Sequence, residues 1–461
     1  MSTETARVPS PSEQGIPPQA RRVAWAVIAG LVAPVLDMTI VTIALTGLSR
    51  DLHAPLSTVQ WVSTGYLLAL AVAVPLAGWT ATRFGSRAAW TAGLGLFFAG
   101  SVACAASWNI GSLIAFRVLQ GLGAGLIMPL MTSILVAASG GVALGRMVAM
   151  VSLPTALGPI LGPVVGGVIL NWLNWRWLFL VNVPLCILAL ILARRIPSDK
   201  TAGTRLDVPG LLLLAPGLIA LLLGLSNAHN GIGRADVVVP VVIGAVLLAG
   251  FTWHALRTSG RPLVNVRELR RRSVTASSVG LCFFGIASAG VMLLMPLYFQ
   301  QVRGDSVLQA ALLLIPQGVG ALATRSLAGR LTDTIGARWV AVTGFAVVAL
   351  ATVPFAFAGA HTNTIWLMVV LLVRGFGLGT LLSPVMAAGF MGLPGAARHD
   401  VSMLTRAFQQ VGGSFGTALL AVVLTAGMGA GTGFSDAFWW ASALAAAGAV
   451  AALLLPDARA E

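Results

Sequence analysis

The chain has 461 residues, of which 57% are hydrophobic and only 9% are charged, and its mean hydropathy is +0.91. A soluble protein of this length would need far more charge to cover its surface, so this composition excludes a soluble globular protein. The formal net charge of +14 belongs to loops between long uncharged runs, which leave little surface where a nucleic acid could bind. The lipid bilayer is therefore the expected environment of most of the chain.

The N-terminal segment and the cysteines suggest no processing and no metal chemistry. Residues 1–20 are polar, include Glu4 and Glu13, and lack the pattern of a cleavable signal peptide. We expect a cytoplasmic tail followed by an uncleaved membrane span. The three cysteines all lie within apolar runs, which is typical of small buried side chains rather than of a metal or redox site. The sequence therefore predicts no cofactor and no metal.

Fourteen apolar stretches have the length, about 20 residues, that crosses a bilayer as a helix. They cover approximately residues 22–47, 58–79, 88–107, 110–137, 144–171, 176–194, 208–227, 236–256, 274–299, 307–329, 339–359, 364–391, 405–427 and 436–455. The sequence thus predicts an all-α integral membrane protein with fourteen transmembrane helices.

The distribution of lysine and arginine orients these spans. With the N-terminus inside, the cytoplasmic tails, loops and helix ends hold 22 of the 28 basic residues, and the outer loops hold four. The remaining two, Arg117 and Arg374, fall inside spans. Because the span count is even, we expect both termini in the cytoplasm, in a multi-pass protein of the inner (plasma) membrane.

Two pairs of segments repeat at long range. "GWTATRFGSR" (78–87), after the second span, matches "GRLTDTIGAR" (329–338), after the tenth, at an offset of 251 residues. "GLGAG" (121–125) matches "GFGLG" (375–379) at an offset of 254 residues, so spans 1–6 resemble spans 9–14. Internal repeats with a site at their interface are a recurring plan of secondary transporters, and they predict alternating access.

This duplication predicts the organisation of the whole chain, which we expect to act as a monomer. The predicted segments are a cytoplasmic N-terminal tail at 1–20, an N-terminal six-helix bundle at 21–197, two inserted helices with cytoplasmic linkers at 198–272, a C-terminal six-helix bundle at 273–456 and a cytoplasmic tail at 457–461.

Five segments resemble, in this order, the motifs of the major facilitator superfamily, and specifically of its fourteen-span branch of drug:proton antiporters. They are "VLDMTIVTIAL" in span 1, "GWTATRFGSR" between spans 2 and 3, "RVLQGLGAG" in span 4, "LGPILGPVVGG" in span 5 and "WRWLFLVNVPL" leading into span 6. The resemblance covers nearly the whole chain after the N-terminal tail. It implies the major facilitator fold, two six-helix bundles plus two inserted helices, and a proton-coupled exporter of drugs or antibiotics.

Asp37 is the only acidic residue deep within any predicted span. A carboxylate there costs about 3 kcal/mol by insertion scales, so it is a functional candidate by default. The small residues on its helix face would leave an open, cavity-lining surface around it. We interpret Asp37 as the proton carrier; the alternative is a structural acid bound to a hydroxyl or an arginine. Arg117 in span 4 is its expected partner, because a guanidinium cannot discharge and must be paired or solvated. The resemblance implies that this arginine influences the protonation of Asp37.

Span 5 carries helix-breaking residues at regular spacing. Gly158, Gly162 and Gly166 lie four residues apart, so they stack along one face and permit another helix to approach closely. Two prolines on the adjoining face each remove a backbone donor and introduce a bend. They are Pro159 and Pro163, and Gly167 completes the motif. The resemblance implies that this helix forms a pliable outer seal between the two halves of an exporter; a generic close-packing face is the alternative.

The loop motif after span 2 departs from the family pattern. It keeps four residues, Gly78, Arg83, Gly85 and Arg87, but Thr82 stands where the family has an aspartate. The resemblance implies that the aspartate helps to latch the cytoplasmic side between the two halves. The second copy keeps its acid, Asp333, together with Arg338. Either the latch is carried by the second copy alone or it is weaker here; solvated loop charge is the alternative for these arginines.

Candidates for the lining of a substrate cavity are mostly apolar or amide side chains. They are Gln120, Met128, Met292, Met295, Phe299, Gln300, Gln317 and Gln409. No further intramembrane carboxylate of the kind that would recognise multivalent cations is evident in spans 9–14. We therefore expect a neutral or singly charged lipophilic substrate. Arg374 occupies the repeat position of Gln120 rather than of Arg117, so no role is assigned to it.

Other functions fit the sequence less well. A proton-coupled transporter of a specific metabolite, working in the import direction, is the second hypothesis, but the span-5 motif and the two extra spans favour export. "GGSFG" (412–416) matches the G-x-S-x-G hydrolase motif, yet it lies in a predicted helix without a histidine–acid pair, so we expect it to serve packing. ATP-driven pumping would need a phosphate-binding loop, which the sequence lacks.

Overall fold

The computed structural model describes residues 18–59, 61–139, 150–151, 158, 161–162, 164–198, 206–227, 233–258, 262–391, 393, 397–429 and 431–456. Across these ranges the regular structure is helical, without a strand. The predicted all-α membrane fold is confirmed in this part of the chain.

We label the long helices α1 to α14 in chain order. The first six are α1 (Pro18–Ile40), α2 (Trp61–Phe84), α3 (Ser86–Ala105), α4 (Ile110–Ser139), α5 (164–172) and α6 (Trp177–Leu180 and Asn182–Leu192). Two more follow, α7 (Val208–Asn227) and α8 (Ala235–Arg257).

The remaining six are α9 to α14. Helix α9 runs as Arg272–Gly285, then through a π-helical turn at Ile286–Gly290, and ends as Val291–Gln301. The others are α10 (Ile315–Ile335), α11 (Ala337–Ala356), α12 (Thr364–Gly379 and Leu382–Phe390), α13 (Ala397–Met428) and α14 (Gly433–Ala452). Short helices at Leu45–Asp51, Leu56–Val59 and Val307–Leu313 lie between the long ones.

Eleven helices within the described ranges are long and apolar enough to cross a bilayer. Helices α10 and α14 coincide with two further predicted spans and are 21 and 20 residues long, but they are more polar and are not among the eleven. Much of predicted span 5 (144–171) lies outside the described residues. The count of fourteen spans therefore stays a prediction.

Hydrophobic packing joins helices that are near each other in the sequence. One cluster around Trp90 contains residues of α1, α2, α3, α4 and α6, and its last residue is Ile196. Two others, around Phe345 and Phe438, contain only residues of α9 to α14, of the segments that connect these helices, and Leu455 just after α14. The inserted pair bridges these groups, since α7 packs on α2 through Leu222 and on α13 through a separate cluster. The predicted boundaries at 197/198 and 272/273 stay predictions.

The two copies of the loop motif have the same backbone geometry. Gly85 joins α2 to α3 with φ +89° and ψ 150°, and Gly336 joins α10 to α11 with φ +90° and ψ 153°. Residues with a Cβ rarely adopt a positive φ, whereas glycine does so without steric cost. Glycine at these two positions therefore permits a helix to begin directly after the preceding one.

Candidate functional site

Asp37 lies near the end of α1, and its side chain is fully buried. Three side chains donate hydrogen bonds to its carboxylate. Arg117 Nη1 donates to Oδ2, and Oδ1 accepts from Gln120 Nε2 at 3.0 Å and from Asn182 Nδ2 at 2.9 Å. All three donors are themselves buried. A charge out of water is tolerated only when it is paired and hydrogen-bonded, and this arrangement meets both conditions.

Arg117 is anchored independently of Asp37. Its Nε donates to the backbone carbonyl of Val62 in α2 at 3.0 Å, and its Nη1 lies 2.7 Å from Gln120 Oε1. The guanidinium also lies over the ring of Tyr66, 4.1 Å from the ring centre, in a cation–π contact. The guanidinium is therefore held by α2 as well as by the carboxylate of Asp37.

Gln120 connects this carboxylate to α3. Its Nε2 donates to Ser101 Oγ at 2.8 Å as well as to Asp37. A Cβ at Gly100, next to Ser101, would lie 2.7 Å from the backbone of Gln120, and one at Gly121 would lie 2.3 Å from the carbonyl oxygen of Tyr66. Glycines at these two positions let α2 and α3 approach α4 closely enough to form the network.

Comparison with known proteins agrees with this architecture. A sequence model described as Major Facilitator Superfamily matches residues 27–417. The chain belongs to the major facilitator superfamily. One relative is the "Multidrug resistance protein B homolog" of Mycobacterium tuberculosis, 37% identical over 409 residues that cover 87% of this chain and 75% of that protein.

Two other superfamily relatives carry similar names. The "Putative multidrug resistance protein MdtD" of Serratia proteamaculans is 30% identical, with 87% of this chain and 84% of that protein covered. The "Lincomycin resistance protein LmrB" of Listeria innocua is 27% identical, with 84% and 83% covered. A solved D-xylose-proton symporter aligns with a TM-score of 0.68 and 16% identity, over 95% of this chain and 98% of its own. At that identity the likeness shows the fold alone.

The structure of this major facilitator brings Asp37 and Arg117 together, as the sequence predicted. Gln120, predicted to line a substrate cavity, lies instead within the buried network of Asp37. The expected open surface around Asp37 is not seen in this conformation, because three donors and their helices cover the carboxylate. Sequence reasoning missed Asn182. Asn182 could have been found from the sequence, because it is the one amide side chain in predicted span 6 and lies in the segment "WRWLFLVNVPL" that resembles a family motif.

Two glycines of span 5, Gly158 and Gly162, pack directly on α1 on either side of Asp37. A Cβ at Gly158 would lie 2.1 Å from Val35 Cγ1, and one at Gly162 would lie 1.9 Å from Thr39 Oγ1. Thr39 Oγ1 also donates to the carbonyl of Gly158 at 3.1 Å. Gly166 is buried and Gly167 is half-buried, whereas Pro159 and Pro163 lie outside the described residues. The motif thus contacts the helix that carries Asp37, and its predicted role as a seal remains a prediction.

The arginines of the two loop motifs face different surroundings. Arg83 is exposed, while Arg87 lines an open cleft of about 700 Å³ with Arg194 at the end of α6. Arg338 Nε donates to the carbonyl of Leu455, just after α14, at 2.8 Å. Thr82 Oγ1 donates to the carbonyl of Trp79 at 2.9 Å, and the side chain of Asp333 lies outside the described part of the chain. Gly78 is buried in α2. The latch stays a prediction.

The predicted cavity residues lie in several environments. Met128, Gln300, Gln317 and Gln409 are half-buried, whereas Met292 is 44% exposed. Two others, Met295 and Phe299, lie in the hydrophobic cluster around Phe438. The "GGSFG" segment is helical, within α13, and a Cβ at Gly412 would lie 2.1 Å from a carbonyl oxygen of α9. Close packing therefore accounts for this motif, as expected.

Proposed function

We propose that this protein is a proton-coupled antiporter that exports small lipophilic or amphipathic compounds, such as drugs or antibiotics, by alternating access. The observation that carries the proposal is the buried Asp37–Arg117 pair. Asp37 is the acid that the sequence places deep in a span, and an ionisable group at that depth is a functional candidate. Membership of a transporter superfamily supports a transport role for it.

The direction and the substrate class rest on different support. Relatives that align with most of this chain are named for multidrug and lincomycin resistance, which favours export of foreign or toxic compounds. The metabolite importer, our second hypothesis from the sequence, has no comparable support. We place the protein in the inner membrane as a monomer with both termini in the cytoplasm, with protons and a small lipophilic compound as its ligands.

The geometry suggests how protonation is coupled to helix movement. Both oxygens of Asp37 accept hydrogen bonds, from donors on α4 and α6. A proton on either oxygen would displace a donor from that oxygen. Protonation therefore loosens the contact of α1 with α4 or α6, and deprotonation restores it. Arg117, held by α2, supplies a fixed positive charge to which the carboxylate returns.

Transport in proteoliposomes under an imposed pH gradient tests this function. Asp37→Asn keeps the size of the side chain but cannot ionise, so we expect gradient-driven export of a lipophilic drug to be lost. Asp37→Glu should retain some activity because it still ionises. Arg117→Ala should slow export or shift its pH dependence. Uphill export by Asp37→Asn at the wild-type rate would place the proton carrier elsewhere.

A further inference from the structure

Arg374 is a buried cation that the proposed proton pathway does not use. It lies in α12 and is fully buried. Its three hydrogen bonds go to Thr352 Oγ1 at 3.1 Å, to Gln317 Oε1 at 2.8 Å and to the backbone carbonyl of Ala287 at 2.7 Å. All three acceptors are neutral. A guanidinium cannot lose its charge, so within the described residues Arg374 carries a positive charge that no carboxylate balances.

The internal repeat explains how this imbalance arises. Gly30 and Leu31 of α1 recur as Gly280 and Leu281 of α9, which pairs Asp37 with Ala287 at an offset of 250 residues. The neighbouring offsets of 251 and 254 pair Ser101 with Thr352 and Gln120 with Arg374.

The C-terminal network therefore mirrors the N-terminal one at these three pairs of positions, with a threonine in place of Ser101 and two replacements that change the charge. An arginine replaces the amide Gln120, and an alanine replaces the acid Asp37. In the N-terminal network the amide reaches the side chain of Asp37, whereas Arg374 reaches the backbone of Ala287. At the offset of 254 residues Leu371 stands in the place of Arg117, so the second repeat lacks the acid and carries its arginine at the position of Gln120 instead.

The carbonyl that accepts the hydrogen bond from Arg374 lies in an irregular part of α9. Ala287 lies in the π-helical turn Ile286–Gly290, and such turns inside α-helices are frequent at functional sites. Helices α10 and α12 also touch there, since a Cβ at Gly375 would lie 2.1 Å from the carbonyl oxygen of Gln317. This close packing holds Arg374 against Gln317, whose side chain is half-buried.

We propose that Arg374 binds one negatively charged group, a carboxylate or a similar monoanion, of an otherwise lipophilic substrate. Three of the five N–H groups of the guanidinium make the bonds described above, and the other two can donate to an anion. Arginine binds carboxylates with paired hydrogen bonds, and a buried location strengthens them. The proposal rests on the proposed export function, because it names the class of compound that the exporter carries.

Equilibrium binding to the purified full-length protein in nanodiscs tests this assignment. The probes are 4-octylbenzoate and its methyl ester, which differ in charge but little in shape. We expect the wild type to prefer the carboxylate by about tenfold or more, and Arg374→Gln, which introduces the residue of the first repeat, to bind both alike. Arg257→Gln, which removes an exposed arginine stacked on Trp253, is the matched control and should keep the preference.

Three outcomes would overturn the proposal: equal binding of both probes by the wild type, an unchanged preference in Arg374→Gln, or a lost preference in the control. If Arg374→Gln does not fold, Arg374→Lys is the variant that tests the proposal. A lysine keeps the positive charge but cannot form the paired hydrogen bonds, so the preference of this variant for the carboxylate should fall by about threefold or more. Binding needs no proton gradient, so Asp37→Asn should keep the preference. The proposed function is therefore tested separately, because Asp37→Asn should lose gradient-driven export and still prefer the carboxylate probe.

Discussion

The amide nitrogen of Asn182 in α6 lies 2.9 Å from Oδ1 of Asp37 in α1, and both side chains are fully buried. This bond connects the candidate proton carrier to a helix that the sequence did not associate with it. Since Oδ1 also accepts from Gln120, the carboxylate joins α1, α4 and α6 at one point. A change in the protonation of Asp37 would therefore alter hydrogen bonds that connect all three helices.

The first prediction concerns this amide. Asn182→Leu keeps the volume of the side chain but removes the donor, and hydrogen bonds to charged groups contribute about 1.5–3 kcal/mol. We expect gradient-driven export to fall about tenfold and its pH profile to shift, because the carboxylate loses one of two donors to Oδ1. Drug efflux from proteoliposomes at a series of pH values measures both.

Cys186→Ala is the matched control for this change. Cys186 is buried one turn along α6 and belongs to the hydrophobic cluster around Trp90. Its removal should cost some stability but leave the pH profile in place. If Asn182→Leu exports with an unaltered pH profile, Asn182 has only a structural role.

The second prediction compares two glycines of span 5. A Cβ at Gly162 would lie 1.9 Å from Thr39 Oγ1 and 2.8 Å from Thr39 Cβ, whereas a Cβ at Gly167 would have no neighbour within 4 Å. Gly162→Ala should therefore push span 5 away from α1, at a cost of about 1–3 kcal/mol, and impair export. Gly167→Ala should behave like the wild type. Thermal unfolding in detergent and drug efflux measure the two effects.

Combining Gly162→Ala with Thr39→Ala should restore part of the stability, because the atom in closest conflict is removed. Full recovery is not expected, since the Cβ of residue 39 remains close. Equal behaviour of the two single glycine variants would contradict the packing of Gly162 on α1.

The pairing of Asp37 with Arg117 could be predicted because few ionisable residues lie inside spans and each needs a partner. The hydrogen bond from Asn182 to Asp37 could not be predicted, because an amide in a span can bond to many groups and sequence spacing does not reveal which helices face each other. The glycines at 158 and 162 predicted close packing with another helix, but only the structure identifies that helix as α1. The π-helical turn at Ile286–Gly290 has no proline to indicate it, so the surroundings of Arg374 also required the structure.

The third prediction concerns the end of the inserted pair at which α7 begins and α8 ends. Asp207, just before α7, accepts hydrogen bonds from the backbone N–H of Gly210 at 2.9 Å and of Leu263 at 3.0 Å, and it contacts His254 Nε2 of α8 at 2.9 Å. Burial alone would raise the pKa of Asp207, but these hydrogen bonds outweigh it and lower the pKa below its ordinary value. The ionised form therefore stabilises the packing of α7 on α8.

A lowered pKa in the folded state gives stability that is present above the ordinary pKa of an aspartate, about 3.9, and lost as the pH falls through the lowered value. Asp207→Asn should thus be less stable than the wild type at pH 7, by about 1–3 kcal/mol, and the difference should shrink below pH 4. Thermal unfolding at pH 7 and at pH 3 measures it. Asp236→Asn, which breaks only an exposed pair with Arg234, should change little. A difference that is the same at both pH values would contradict a role for the charge of Asp207.

The last prediction concerns the topology that the count of spans implies. Helices α7 and α8 are both long and apolar enough to cross the bilayer, and they pack on α2 and α13 rather than forming a separate unit. If both cross, a reporter enzyme fused after Lys200 or after Arg271 should be cytoplasmic, and one fused near Asn230 should be external. The basic residues of "RELRRR" (267–272) favour a cytoplasmic location for the reporter fused after Arg271, because positively charged loops stay in the cytoplasm. Pairs of reporters that are active only inside or only outside the cell measure each position directly. A cytoplasmic signal near Asn230 would mean that α7 and α8 do not cross the membrane, and the chain would then have twelve spans.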